Sequence, residues 1–236
     1  MKRICAIIVL AGVGIHPALA SESIVLDHLK INVHDRPALQ RGAKTFIDYC
    51  SSCHAATYMR YARVARDLGL SEDQMHKEFL YASPKLGEPM NVALQSKDAV
   101  NWLGVAPPDL STIARYRGTD WLYTYLRSFY ADPTRPTGAN NHVFKDVAMP
   151  NIFWELQGIQ QRVGEGHDEK LTLVQPGKLS VEDFNHTVAD LVQFLAYMGE
   201  PAQLERTRIA PWVLGYLLIL LVVLYLLKKE YWKDVH

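Results

Sequence analysis

The sequence predicts a mainly α-helical head with long loops, followed by a single transmembrane helix near the C-terminus. Three patterns predict it. Apolar residues recur at helical spacing in several separate segments. The stretches between them, 82–109, 131–151 and 164–180, are rich in Pro, Gly and Asn and read as loops. Residues 209–227 hold no charged side chain and, at about 1.5 Å per residue, come close to the roughly 30 Å hydrocarbon thickness of a bilayer.

The chain opens with Lys2 and Arg3, an apolar run from Ile4 to Ile15, and then Ala18-Leu19-Ala20. That is the pattern of a secretory signal peptide cleaved after Ala20. An uncleaved anchor is the alternative, but the run is short for a span. Cys5 lies inside it and reads as an ordinary apolar residue.

In the head, a first helix is expected from Pro37 to Tyr49, since proline suits a first turn. Gly42 and Phe46 share a face four residues apart, and a glycine there lets another helix approach closely. Helical spacing continues over residues 57–68. Ser71-Glu72-Asp73-Gln74 forms a capping box for a helix through Phe79 and Leu80. Thr119 or Asp120 starts a helix whose apolar face is Trp121, Leu122, Tyr125, Leu126 and Phe129. Leu171-Thr172-Leu173-Val174 reads as a short strand, and strand content is expected to be small. Ser180-Val181-Glu182-Asp183 caps a helix with Phe184, Val188, Leu191, Val192 and Leu195 that ends at Gly199, before Pro201.

Aromatic residues flank the apolar stretch: Trp212 and Tyr216 near one end, Tyr225, Tyr231 and Trp232 near the other, as interfacial belts would. The expected division is a signal peptide at 1–20, an exported head at 21–205, an anchor at 206–228 and a cytoplasmic tail at 229–236. A bacterial inner membrane with the head on the periplasmic side follows from the signal. The whole chain balances 25 basic against 25 acidic residues, whereas residues 21–205 hold 18 and 23, a net of −5. An acidic head steers basic partners or simply keeps the domain soluble. Nothing supports nucleic-acid binding.

Residues 50–54 read Cys50-Ser51-Ser52-Cys53-His54. Cys-x-x-Cys-His is the signature of covalent c-type haem attachment. Two thiols add to the two vinyl groups of one haem, giving two thioethers, and the adjacent histidine reaches the iron. A thioredoxin-like pair would want a preceding strand and gives the histidine no role. A zinc site would want a second ligand pair, and no other thiol remains outside the signal. A methionine on the far side of the iron raises the potential, a second histidine lowers it, and an open position permits ligand chemistry. Met149 is the leading candidate for that far side. It stands in Ala148-Met149-Pro150, where the proline stiffens an extended loop. Met90 after Pro89 is its competitor, and His142 the histidine alternative. Pro107-Pro108-Asp109 forms a rigid corner whose carbonyl can accept the proton of His54 on the nitrogen facing away from iron. Arg115 and Arg117 are candidates for pairing with haem propionates.

The order of further motifs resembles the cytochrome c1 family, the haem-bearing subunits of ubiquinol–cytochrome c reductase (the cytochrome bc1 complex). The matching pieces are Cys50–His54, Tyr58–Tyr61, Asp67–Ser71, Ala106–Ser111, Arg115–Tyr123, Thr137–His142, Ala148–Pro150, Trp154–Gly158 and Tyr197–Pro201. The resemblance implies a class I cytochrome c-like head bearing one haem c, with thioethers at Cys50 and Cys53 and axial ligands His54 and Met149. It also implies a propionate contact at Arg117, a haem-pocket tyrosine at Tyr123 and pocket contacts from Pro107 and Pro108. Cytochrome b and a Rieske iron–sulfur protein are the implied partners in a dimeric complex. A soluble or tethered cytochrome c is the implied acceptor, and the subunit has no active site of its own. The loop 159–180 matches least, with Glu165, Asp168 and Glu169 as docking candidates. A free-standing, membrane-tethered cytochrome c shuttle is the alternative, and a haem enzyme or gas sensor with an open iron the second.

Overall fold

The computed structural model describes residues 24–81, 85–164 and 169–234. The expected signal peptide, Cys5, Glu165 and Asp168 lie outside them. In chain order the elements are α1 (Arg36–Tyr49), β1 (Ala56–Arg60), α2 (Tyr61–Leu68), α3 (Glu72–Glu78), β2 (Pro89–Met90), α4 (Ser96–Leu103), α5 (Ile113–Arg117), α6 (Thr119–Arg127), β3 (Phe129–Ala131), β4 (Ala139–Asn141), α7 (Trp154–Gln157), β5 (Gly158–Val163), β6 (Lys170–Pro176), α8 (Val181–Gly199) and α9 (Gln203–Tyr231). The strands form three separate antiparallel pairs, β1 with β2, β3 with β4 and β5 with β6.

Helix α1 crosses α8, and this pair is the core. A Cβ on Gly42 would sit 2.0 Å from the Asp190 carbonyl oxygen and 2.9 Å from Cβ of Phe194, so only glycine permits the approach. Phe46 packs on Phe194 at a ring distance of 5.7 Å, and Phe194 on Tyr197 at 5.8 Å. All three rings are buried, and each such side chain is worth about 1.5–3 kcal/mol of burial. Arg41 pairs with Asp190 at 2.7 Å along the rim of the crossing.

The local signals form as the sequence predicts. Ser71 Oγ accepts from the Gln74 N–H at 3.2 Å while Gln74 Oε1 accepts from the Ser71 N–H at 2.9 Å, completing the capping box of α3. Ser180 Oγ accepts from the Asp183 N–H at 3.1 Å at the start of α8. Residues 171–174 lie in β6, whose partner β5 gave no sequence signal.

Three expectations are corrected. Phe129, expected on the apolar face of α6, lies in β3, because α6 ends at Arg127. Residues 57–60 are extended rather than helical. The Thr57 and Tyr58 N–H groups donate to the side chains of Asp109 and Ser111, both at 3.0 Å, which removes them from any helical ladder. The stretch 82–109 is not wholly loop, because α4 lies inside it and Gly104 ends that helix in a left-handed conformation (φ 77°).

Only Glu200, Pro201 and Ala202 separate α8 from α9. Glu200 links the head to α9. It accepts from Arg115 on α5 at 3.0 Å and pairs with Arg206 on α9. No residue of α9 is buried, and its apolar stretch is long enough to cross a membrane.

Replacing Gly42 by alanine is expected to push α1 off α8 and cost about 1–3 kcal/mol. Denaturant midpoints of the detergent-solubilised protein measure this. Gly87→Ala, where a Cβ meets nothing within 4 Å, is the neutral comparison. Equal midpoints for the two variants would refute the close crossing.

Candidate haem site

Helix α1 delivers the two thiols. Cys50 closes its last turn, its N–H donating to Phe46 O at 2.9 Å. The chain then folds back so that the N–H groups of Cys53 and His54 both donate to Cys50 O, at 3.1 and 2.8 Å. The Ser51 hydroxyl donates to Ile47 O at 2.7 Å and pins the turn to the helix. The motif is therefore one compact loop at a helix end. Cys50 is buried, Cys53 is exposed, and both are free thiols. Burial, helped by the neighbouring Cys53, pushes the Cys50 thiol up to about 12, so it is uncharged at neutral pH. A thioether at this position carries no charge either, which fits a buried attachment point.

The imidazole of His54 is oriented from outside the motif. Its Nδ1 lies 2.7 Å from the Pro108 carbonyl oxygen. A carbonyl only accepts, so Nδ1 carries the proton and Nε2 is the nitrogen left for a metal. Desolvation lowers the His54 pKa against the opposing pull of the Pro108 contact, which favours the neutral, ligating form.

The corner that presents this carbonyl is itself clamped. Leu110 N–H donates to Ala55 O at 2.8 Å. One carboxylate oxygen of Asp109 accepts from both the N–H and the hydroxyl of Thr57, at 3.0 and 2.7 Å, and the other accepts from the Ser111 N–H at 2.7 Å. Burial opposes ionisation of Asp109, but the hydrogen bonds from Ser111 and Thr57 outweigh it and hold its carboxyl below the ordinary range. The sequence singled out the corner and missed this clamp. Its signal was an Asp two residues before a Ser, a common turn former.

Met149 is half-buried against the core, and its Sδ accepts a hydrogen bond from the Tyr125 hydroxyl at 3.3 Å. Burial pushes the phenol of Tyr125 up, keeping it a donor. Of the competitors, Met90 is buried in β2 with Ala56 as its strand partner, and His142 has Nδ1 committed to Glu169 at 2.9 Å.

The two arginines divide. Arg115 is paired with Glu200. Among the described residues Arg117 makes no ion pair. Its guanidinium lies over the rings of Trp121 (4.7 Å), Tyr116 (5.1 Å) and Phe144 (5.5 Å), so it is a held cation available to an anionic group. Tyr123 sits under the Arg127 guanidinium at 4.2 Å. Two residues along a helix turn the side chain by about 200°, so the aromatic residue of α6 that reaches Met149 is Tyr125. Sequence reading placed Tyr125 and Trp121 on a core face and did not connect them to Met149.

The thiol pair, the tethered imidazole and the soft thioether make a donor set that fits a covalently attached haem with two protein ligands. Pro108 lies beside His54.

The model of the Cytochrome C1 family matches residues 28–235. A cytochrome c1 of Allochromatium vinosum is 46% identical over 219 residues, covering 89% of this chain and 90% of that protein. A Nitrosomonas europaea protein named ammonia monooxygenase gamma subunit is 44% identical over 217 residues, covering 92% of each. A solved chain described as Hyperthermophilic respiratory Complex III aligns at 15% identity over 90% of this chain and 89% of its own, with a TM-score of 0.37, too loose a likeness to argue from.

Because the Asp109 carboxyl is held below its usual value, its contribution to stability is fully present above about pH 4, the ordinary carboxylate range. It is lost as pH falls through the lower folded value. Asp109→Asn should therefore be less stable at pH 7 and show a flatter acid limb in denaturant titrations below about pH 4. Superimposable acid limbs for the two proteins would remove Asp109 from the clamp.

Proposed function

The chain belongs to the cytochrome c1 family, and from that premise we propose how its residues serve electron transfer. It is an electron-transfer subunit of the cytochrome bc1 complex, carries covalently bound haem c and is anchored in a membrane through α9. Cys50 and Cys53 would hold the haem through thioethers, and His54 Nε2 and Met149 Sδ would be the protein ligands of its iron. Pro107 and Pro108 wall the histidine side. Arg117 would pair with a propionate. The aromatic wall near Met149 is Tyr125 and Trp121, with Tyr123 on the other side of α6. The observation that carries this reading is the His54 Nδ1 contact with Pro108 O at 2.7 Å, which fixes the tautomer and ring plane a haem ligand needs.

When bound, the haem supplies one-electron exchange between ferric and ferrous iron. The chain's own residues keep that exchange clean. With His54 and Met149 both ligating, the iron would be closed to substrate and would exchange electrons only. The clamped corner holds the imidazole in one orientation in both redox states. Arg117 offsets propionate charge next to a site of changing charge.

The electron is received from a mobile Rieske iron–sulfur protein, itself supplied from quinol at cytochrome b, and passed to a soluble or tethered cytochrome c. The head lies on the periplasmic side of a bacterial inner membrane with the C-terminus cytoplasmic. Export of the head through the signal at residues 1–20 and haem attachment on the oxidising side support that orientation. The complex is dimeric.

Purification in a mild detergent tests the assignment. Cytochrome b and a Rieske protein should be recovered with this chain. Recovery as a lone haem protein, or within an ammonia monooxygenase as the name of the Nitrosomonas relative suggests for that protein, would overturn it. In the native reduced protein, carbon monoxide should leave the absorption spectrum unchanged. Met149→Leu should keep the covalent haem, lower the reduction potential and admit carbon monoxide, whereas His54→Ala should fail to assemble haem. An unchanged potential in Met149→Leu would place the ligand elsewhere.

A further inference from the structure

Three side chains stack in succession and end on the sulfur of Met149. The Arg117 guanidinium lies 4.7 Å from the Trp121 ring, and the Trp121 and Tyr125 rings are 4.7 Å apart and within 11° of parallel. Phe129 packs on Tyr125 at 5.2 Å with the two rings at 66°. The Tyr125 ring is thereby held between two aromatic neighbours, and its hydroxyl comes to 3.3 Å from Met149 Sδ. Resting on the reading of Met149 as an iron ligand, we propose that Tyr125 is its positioning residue, donating to one sulfur lone pair so that the other is left for the iron, with Trp121 as the shelf that keeps the phenol in place.

The chemistry selects this role over simple packing. A buried hydroxyl is normally spent on a strong acceptor. Tyr125 is 8% exposed, and among the described residues its hydroxyl bonds to a thioether, a weak one. Methionine has three rotatable bonds and a sulfur with two equivalent lone pairs. Left free, it can present either lone pair to a metal. A fixed donor on one of them chooses the other and with it the direction of the side chain. The same bond draws electron density from the sulfur. A poorer donor stabilises ferric iron less than ferrous iron, so the bond raises the reduction potential. No proton moves in this account, because the phenol stays protonated in both redox states. The stack also ties Arg117 to Met149 through two rings, so disturbing the shelf reaches both.

Redox titration of the full-length protein in its membrane complex tests the proposal, with carbon monoxide binding as a second readout. Tyr125→Phe keeps the ring and removes only the donor. Its potential should fall while carbon monoxide is still refused, since the sulfur remains bound. Trp121→Leu should lower the potential in the same direction. The double variant should fall no further than the lower single variant, because both act through one bond. In the reduced protein the Met149 methyl resonance should move in Tyr125→Phe. An unchanged potential and methyl resonance in Tyr125→Phe, with the parent refusing carbon monoxide, would overturn the role of Tyr125 alone. A parent that binds carbon monoxide would overturn the ligand assignment beneath it. Additive losses in the double variant would overturn Trp121 as the shelf.

Discussion

The contact on which everything else rests is the crossing of α1 over α8 at Gly42. With its would-be Cβ only 2.0 Å from the Asp190 carbonyl, no other residue allows the two backbones to meet. One helix of the pair ends in the cysteine–histidine loop, and the other runs on to the membrane helix. The crossing therefore fixes the haem-attachment loop relative to the anchor. Phe46, Phe194 and Tyr197 fill the space around it, and all three rings are buried.

Around that frame the site is built by loops that borrow order from each other. The corner at Pro107–Asp109 has no helix or sheet of its own. It is held by the Asp109 carboxylate and the Ser111 hydroxyl, which satisfy N–H groups of β1, and in return it presents the Pro108 carbonyl to His54. Charge is arranged in the same economical way. Arg115 is spent on Glu200, while Arg117, two residues on, is held by aromatic faces. Neighbouring arginines thus take different tasks, one structural and one left for an anion.

What was legible in the sequence was what is decided locally. Ser71 and Ser180 announce caps because their partners lie three residues away. Gly42 announces a close approach because its helix offers no other reason for a glycine. The Cys50–His54 turn is readable because its residues are packed into five positions that bond to one another. The rest depends on partners distant in the chain. Strand β1 replaces a helix because side chains some fifty residues later claim its N–H groups (Thr57 with Asp109, Tyr58 with Ser111). Nothing near Arg115 tells it from Arg117, since Glu200 is 85 residues further on. That Tyr125 reaches Met149 while Tyr123 meets Arg127 turns on half a turn of helix, and Met149 lies away from the helix in the chain and Arg127 on its far side.

The join at Glu200–Ala202 has a mechanical meaning. Three residues span about 10 Å at full stretch, and here they are folded short, with Glu200 gripping arginines on both sides. Such a join cannot act as a leash. It ties the head closely to the apolar helix α9, as a post is tied to its footing. A carrier on a leash sets its own pace by how far it swings, whereas a post waits. The timing of each electron through this subunit then belongs to the travel of whatever visits it, and the subunit contributes a fixed address.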